Sequence, residues 1–350
     1  MEKQKIYPLF DIAKFGCALL ILFYHYFSEY GPIPALLEDF FSLYAVAVAL
    51  FMTMSGYFLF TKLDSLSSRD DQWQVVKKQV KRILTIYLLW SIPYLIFTVS
   101  RWPWDNLSFN FVFWQMQGWI FRSTFYTIWF MPSLALGILF AYFLYSRLSW
   151  NKVWLLALLS FLAGSLHSTY RFVSEIIPGF GMFICFSELW LQGGRGGIFF
   201  GMPLVILGGI AAKSHKIKPI FSAGLALVMM FALLVEAVVL RKYVGGCGLD
   251  LALSMIPVCF CITMFLRSIS MVPCDSIKLW LLWLRSMSIL VFMSQRLFLT
   301  VIPYFFSNDI KNFIFSNPYF GAIILGGGTI LFSTLLIILS KKYNIIKQLY

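Results

Sequence analysis

FDIAKFGCALLILFYHYFSEY, residues Phe10–Tyr30, decides what kind of chain this is. At about 1.5 Å per residue, a helix of this length crosses the roughly 30 Å hydrocarbon core of a bilayer. The run nonetheless holds Asp11, Lys14, His25 and Glu29. Ionisable groups inside a membrane helix are costly, and they mark function. Their spacing is helical. Lys14 and His25 fall about 20° apart on one face, separated by about 16 Å of axial rise, and Asp11 and Glu29 lie within the same arc of about 60°. Between them the stripe is Ala18, Ile21 and Leu22, an apolar lane with polar groups at both ends.

The rest of the chain resembles this stretch in hydropathy. Of 350 residues, 60% are hydrophobic and only 12% charged, which excludes an ordinary soluble domain. The predicted fold is all-α: a polytopic transmembrane helix bundle of about ten spans, forming one integral-membrane domain over 1–350. The spans fall near 10–30, 41–61, 83–100, 125–146, 152–167, 196–212, 219–240, 249–267, 279–300 and 319–340. With the N-terminus inside, the inner segments hold 18 Lys and Arg, among them Lys3 and Lys5, and the outer segments seven. Both termini are therefore predicted to be cytoplasmic. This asymmetry also accounts for the net charge of +13 without a nucleic-acid partner. The first run is full spanning length and interrupted by polar residues, so it is read as retained rather than as a cleaved signal. Six cysteines (Cys17, Cys185, Cys247, Cys259, Cys261, Cys274) and three histidines are too dispersed for a disulfide framework or a metal site.

Between the spans, Asp64–Arg82 is read as a charged inner segment. Lys77, Lys78, Lys81 and Arg82 either anchor it on anionic headgroups of membrane lipids or help to bind an anionic cytoplasmic substrate. Arg101–Arg122 carries Trp102, Trp104, Trp114 and Trp119, an interfacial belt or a surface for sugar stacking. His167–Arg195 mixes Arg171, Glu175, Glu188 and Arg195 with aromatic residues. It suits a segment lying in the interface or re-entering the membrane, a candidate outer lid or acceptor surface. The glycines at 193, 194, 196, 197 and 201 follow no strand, so they suit close helix packing rather than nucleotide binding, as do Gly326, Gly327 and Gly328.

Several roles are open to the polar residues. A neutral His25 can take a proton from a hydroxyl, with Glu29 at i+4 holding its other ring nitrogen. Equally, His25 can hydrogen-bond a neighbouring helix, and Glu29 can lie among outer headgroups. Lys14, partnered by Asp11 at i−3, can bind an anionic donor or snorkel to the inner interface. The separation of Lys14 from His25 suits a long donor with a charged head and a reactive tail, such as acyl-coenzyme A. In the ninth span Arg285 and Arg296 repeat the eleven-residue spacing. A buried Arg296 needs an anion, either a substrate phosphate or a carboxylate such as Asp11 or Glu236.

These features resemble the acyltransferase 3 family of bacterial multi-pass O-acyltransferases. The family's first-helix pattern is an arginine, ten residues and a histidine; here the interval runs from Lys14 to His25. Lysine keeps the charge and lacks the planar fork of arginine. Leu50–Tyr57 (LFMTMSGY) is similar to the family's Phe-Phe-x-x-Ser-Gly-Tyr, and Ile128–Pro132 (IWFMP) to its Leu-Trp-Phe-Leu segment. Arg195–Pro203 (RGGIFFGMP) is similar to its Arg-Asn-Gly-Leu-Phe-x-Gly-x-Pro, with Gly196 at the asparagine. Where many relatives have Tyr-Leu-x-His, this chain has Phe292-Met293-Ser294-Gln295.

The resemblance implies an O-acetyltransferase of the bacterial cytoplasmic (inner) membrane. Its donor would be cytoplasmic acetyl-CoA, with no bound cofactor, and its acceptor a hydroxyl of a surface polysaccharide or lipid-linked glycan such as O-antigen or capsule. His25 and Glu29 become the catalytic candidates and Lys14 and Asp11 the donor-binding ones. Arg195, Arg285, Arg296 and Trp129 are the candidates for substrate contact. The alternative is a transporter or exporter of a small metabolite built on the same membrane module.

Overall fold

The computed structural model describes residues 7–31, 43–174, 176–191, 193–244, 248–271 and 274–350. Lys3, Lys5, Glu175 and Cys247 lie outside the described residues. The fold is all-α, with no β-strand among the described residues. In chain order the helices are α1 (Pro8–Tyr30), α2 (Tyr44–Leu63), α3 (Arg69–Ser100), α4 (Phe109–Phe121), α5 (Phe130–Arg147), α6 (Trp150–His167) and α7 (Phe180–Trp190). There follow α8 (Met202–Lys213), α9 (Pro219–Val244), α10 (Met255–Ser268), α11 (Asp275–Arg296), α12 (Asn308–Phe315) and α13 (Pro318–Ser340).

Each of the ten predicted spans overlaps a helix, although 125–129 and 249–254 are not helical. Seven helical segments are long and apolar enough to cross a membrane: α1, α2, α3, α5, α9, Asp275–Tyr304 and α13. The other three predicted spans coincide with α6, Gly197–Lys213 and α10. Helix α6 opens on Asn151 and Lys152 and closes on Ser165 and His167, which lowers its hydropathy. Gly197–Lys213 is buried by its neighbours over Leu204, Val205 and Ile206, so it has no need of a lipid-spanning length.

Most of the charged inner segment over 64–82 is helical, because α3 begins at Arg69. The sequence supplies the reasons. The Ser68 hydroxyl accepts from the Asp70 N–H, Asp70 and Asp71 occupy the electropositive first turn, and the Gln72 side chain donates to Leu63 O and Leu66 O. Val76, Val80 and Ile83 are buried while Lys77, Lys78, Lys81 and Arg82 are exposed, an amphipathic pattern.

The chain forms two compact units. The first comprises residues up to Ala47, Leu88–Ser100 and Ile269–Tyr350. In it α1 packs on α11 and α13, and α11 packs on α13. Phe10, Ala18, Ile21, Leu22 and Tyr26 of α1 are buried there with Leu284, Met287, Val291 and Met293 of α11. Gly321 lets the Tyr26 ring lie against α13, and a β-carbon at Gly328 would meet the Phe298 ring at 3.0 Å. Gly327 faces open space, so the packing role expected of it is not used.

The second unit comprises Val48–Tyr87 and Arg101–Ser268. Here the glycines do bring helices together. A β-carbon at Gly56 on α2 would overlap Val205 O of α8, and one at Gly201 would overlap Ser133 O of α5. Gly56→Val should therefore destabilise the protein by about 1–3 kcal/mol or more. Gly224→Ala on α9, which has nothing within 4 Å, should be neutral or stabilising by up to about 1 kcal/mol. Thermal unfolding in detergent checks both, and equal midpoints would remove the close-approach argument.

Candidate functional site

In the first unit the polar residues of α1 meet those of α11. Arg285 forms a bidentate pair with Asp11, its Nε donating to Oδ1 at 3.0 Å and its Nη2 to Oδ2 at 2.9 Å. Near the other end Arg296 pairs through Nη1 with Glu29. Between the two pairs, His25 Nδ1 lies 3.3 Å from Gln295 Oε1. The order Asp11–Arg285, His25–Gln295, Glu29–Arg296 makes α1 and α11 parallel.

The neighbouring helix supplies partners for this face. Asp11 pairs with Arg285, His25 with Gln295, and Glu29 with Arg296, so among the carboxylates considered for Arg296 the one beside it is Glu29, not Asp11 or Glu236. Helical periodicity fixes a face, and the neighbouring helix decides which groups on that face are satisfied. Ala18, Ile21 and Leu22 are at most 1% exposed, so the apolar lane is a filled packing seam. Lys14 is half-buried on α1.

The α11 segment that carries these partners is locally irregular. Leu297–Val301 forms a π-helical turn, with Ile302 N–H donating to Leu297 O, and Pro303 follows. Proline has no N–H to give the carbonyl four residues back, Leu299 O, which instead accepts from the Tyr30 hydroxyl. Tyr94, fully buried, donates to Met293 O. Hydroxyl groups on α1 and α3 thus pin the backbone on both sides of Gln295 and Arg296. A π turn beside polar side chains is a frequent mark of a functional site.

The second unit repeats the device around Arg195. Gly197–Gly201 forms a π-helical turn, Met202 N–H donating to Gly197 O, and Pro203 follows. Ile198 O accepts from the Ser160 hydroxyl at 2.9 Å. Arg195 pairs with Asp250 through Nε (2.8 Å) and Nη2 (2.5 Å), and its guanidinium lies 5.3 Å from the Trp129 ring centroid. The Asp250 side chain is 3% exposed and that of Arg195 45%, so the cation presents itself outward from a buried anion and an aromatic wall. Arg195 and Trp129, separate candidates for substrate contact in the sequence, are neighbours in space.

Glu236 is also accounted for. Its carboxylate accepts from the Leu253 and Ser254 N–H groups at 2.7 and 2.9 Å, and from the Tyr170 and Ser254 hydroxyls. It caps the chain entering α10. Burial and the bond to Glu236 push the Tyr170 hydroxyl above its ordinary pKa, so it stays a donor. His167 accepts from Gly194 N–H at Nδ1 (3.1 Å) and reaches Ile184 O at 3.4 Å through Nε2. Both its nitrogens serve the backbone.

Sequence reasoning gave no role to Asp250, Tyr30 or Tyr94, and read Gln295 only as standing where many relatives have a histidine. Only the prolines after the two glycine- or arginine-led segments signalled anything, namely a broken helix at Pro203 and Pro303.

A family model described as an acyltransferase domain matches residues 7–338. Among curated proteins, the chain is 26% identical over 220 residues to an amino-acid racemase of Enterococcus faecalis, covering 61% of this chain and 29% of the relative. It is 27% identical over 224 residues to a serine/alanine racemase of Enterococcus gallinarum, covering 63% and 30%. The chain thus spans less than a third of the length of these relatives. No solved structure matches it. The family match runs nearly end to end through the helices just described, and the chain is a membrane protein of the acyltransferase 3 family.

Proposed function

We propose that the chain is an O-acetyltransferase of the bacterial inner membrane, with both termini cytoplasmic. It moves an acetyl group from cytoplasmic acetyl-CoA to a hydroxyl of a surface or lipid-linked glycan. The observation that carries this reading is His25: a half-buried imidazole held by one side-chain amide between two ion pairs, in a chain matched over 7–338 by an acyltransferase model.

In this mechanism His25 takes the acceptor's proton as its hydroxyl oxygen bonds to the thioester carbonyl carbon. The carbon–sulfur bond then breaks, and the coenzyme A thiolate takes the proton from the imidazolium. Glu29 and Asp11 act indirectly, by holding Arg296 and Arg285 in place. Lys14 supplies positive charge to the anionic part of the donor. Arg195, over Trp129 in the second unit, offers a cation and a stacking face to a substrate group.

Lys14→Ala should raise the donor KM by roughly tenfold with little change in kcat, the loss of one charge-assisted contact. Lys14→Arg should stay near wild type. An unchanged KM in Lys14→Ala removes the lysine from the donor site.

A second reading, carriage of a small amino acid across the membrane, draws on one observation: the relatives are named amino-acid and serine/alanine racemases. Membranes bearing the chain, given radiolabelled acetyl-CoA or radiolabelled serine and alanine, separate the two. Label transferred to glycan supports the enzyme. Amino-acid uptake without acetyl transfer replaces it with the carrier.

A further inference from the structure

We infer that Gln295 is a positioning residue that sets the tautomer of His25, placing the proton of the neutral ring on Nδ1 and leaving Nε2 as the basic nitrogen. The catalytic meaning of this assignment rests on the proposed role of His25; its geometry and its test do not.

The argument starts from what an amide can do. Gln295 is fully buried, and its Nε2 donates to Phe292 O at 3.0 Å. A backbone carbonyl only accepts, so the NH₂ end of the side chain must face Phe292. The other end, Oε1, therefore faces His25, 3.3 Å from Nδ1. An amide oxygen also only accepts, so Nδ1 must be the donor. In the neutral ring the lone pair is then on Nε2, for which the structure records no partner among the described residues.

The anchor of this chain of donors is itself fixed. Phe292 lies on α11 one residue before Met293, whose carbonyl accepts from buried Tyr94. When Nε2 takes a proton, Nδ1 remains a donor to the same oxygen, so the contact persists through a catalytic cycle. The amide orients the ring without adding charge, which a carboxylate would.

His167 provides an internal contrast. There a backbone N–H donates to Nδ1, which must be the acceptor, and Nε2 carries the proton toward Ile184 O. The two histidines are thus assigned opposite tautomers by the same rules.

The test is nitrogen-15 NMR on the full chain labelled at histidine, in detergent or bilayers, above the pH at which the rings titrate. The chain has only three histidines, and His25→Gln and His167→Gln assign the signals. The expected result is a protonated Nδ1 for His25 and a protonated Nε2 for His167. Gln295→Leu should shift His25 toward the Nε2–H form and lower kcat by about 10²-fold; Gln295→Glu, which keeps an acceptor oxygen, should hold the Nδ1–H signal. A wild-type His25 protonated on Nε2 overturns the inference even if Gln295→Leu fails to fold, as does a His25 signal unmoved in Gln295→Leu. An Nδ1–H signal together with full acetyl transfer by His25→Gln would instead keep the tautomer and overturn the base.

Discussion

His25→Ala should express and insert normally while acetyl transfer to the acceptor falls by about 10²–10⁴-fold, the usual contribution of a general base. Folding should tolerate the change because the ring contributes a single hydrogen bond, to Gln295, and is only partly buried. The strong contacts between α1 and α11 are the two ion pairs on either side, and the substitution touches neither. Donor KM should change little, since in the proposed mechanism the ring acts on the acceptor hydroxyl. Transfer retained within a few-fold of wild type would remove His25 from the chemistry.

The second large effect concerns the pair at the far end of α1. The Arg296 side chain is 3% exposed and that of Glu29 30%. Glu29→Gln leaves a buried guanidinium without this anion and should cost about 3–5 kcal/mol. Arg296→Met leaves a carboxylate that water reaches, so its cost should be below about 2 kcal/mol. The double variant should recover most of the loss, because removing both charges of a buried pair is often close to neutral. Unfolding in detergent measures the cycle. Equal costs for the two single variants, or a double variant as unstable as Glu29→Gln, would show that Arg296 does not depend on Glu29.

The fold was readable where hydropathy alone decides it. Each of the ten apolar runs overlaps a helix, and the glycines at 197 and 201 do serve close helix packing. The start of α3 was not readable as helix from charge, because its lysines and arginine hide a buried face at Val76, Val80 and Ile83. At the site, the shared face of Asp11, Lys14, His25 and Glu29 followed from spacing. The partners did not, because they lie on α11, 267 to 274 positions away in sequence. Asp250 could not be assigned to Arg195 for the same reason, at 55 positions. Gln295 looked like the loss of a histidine; packed against His25 it is an acceptor with a defined orientation.

Mass spectrometry of the host's surface glycan, with and without the chain, tests the central claim most directly. The expected result is an acetyl ester on a glycan hydroxyl that is present with the wild-type chain and missing in its absence and in His25→Ala. An acetylation pattern identical in all three would contradict the assignment.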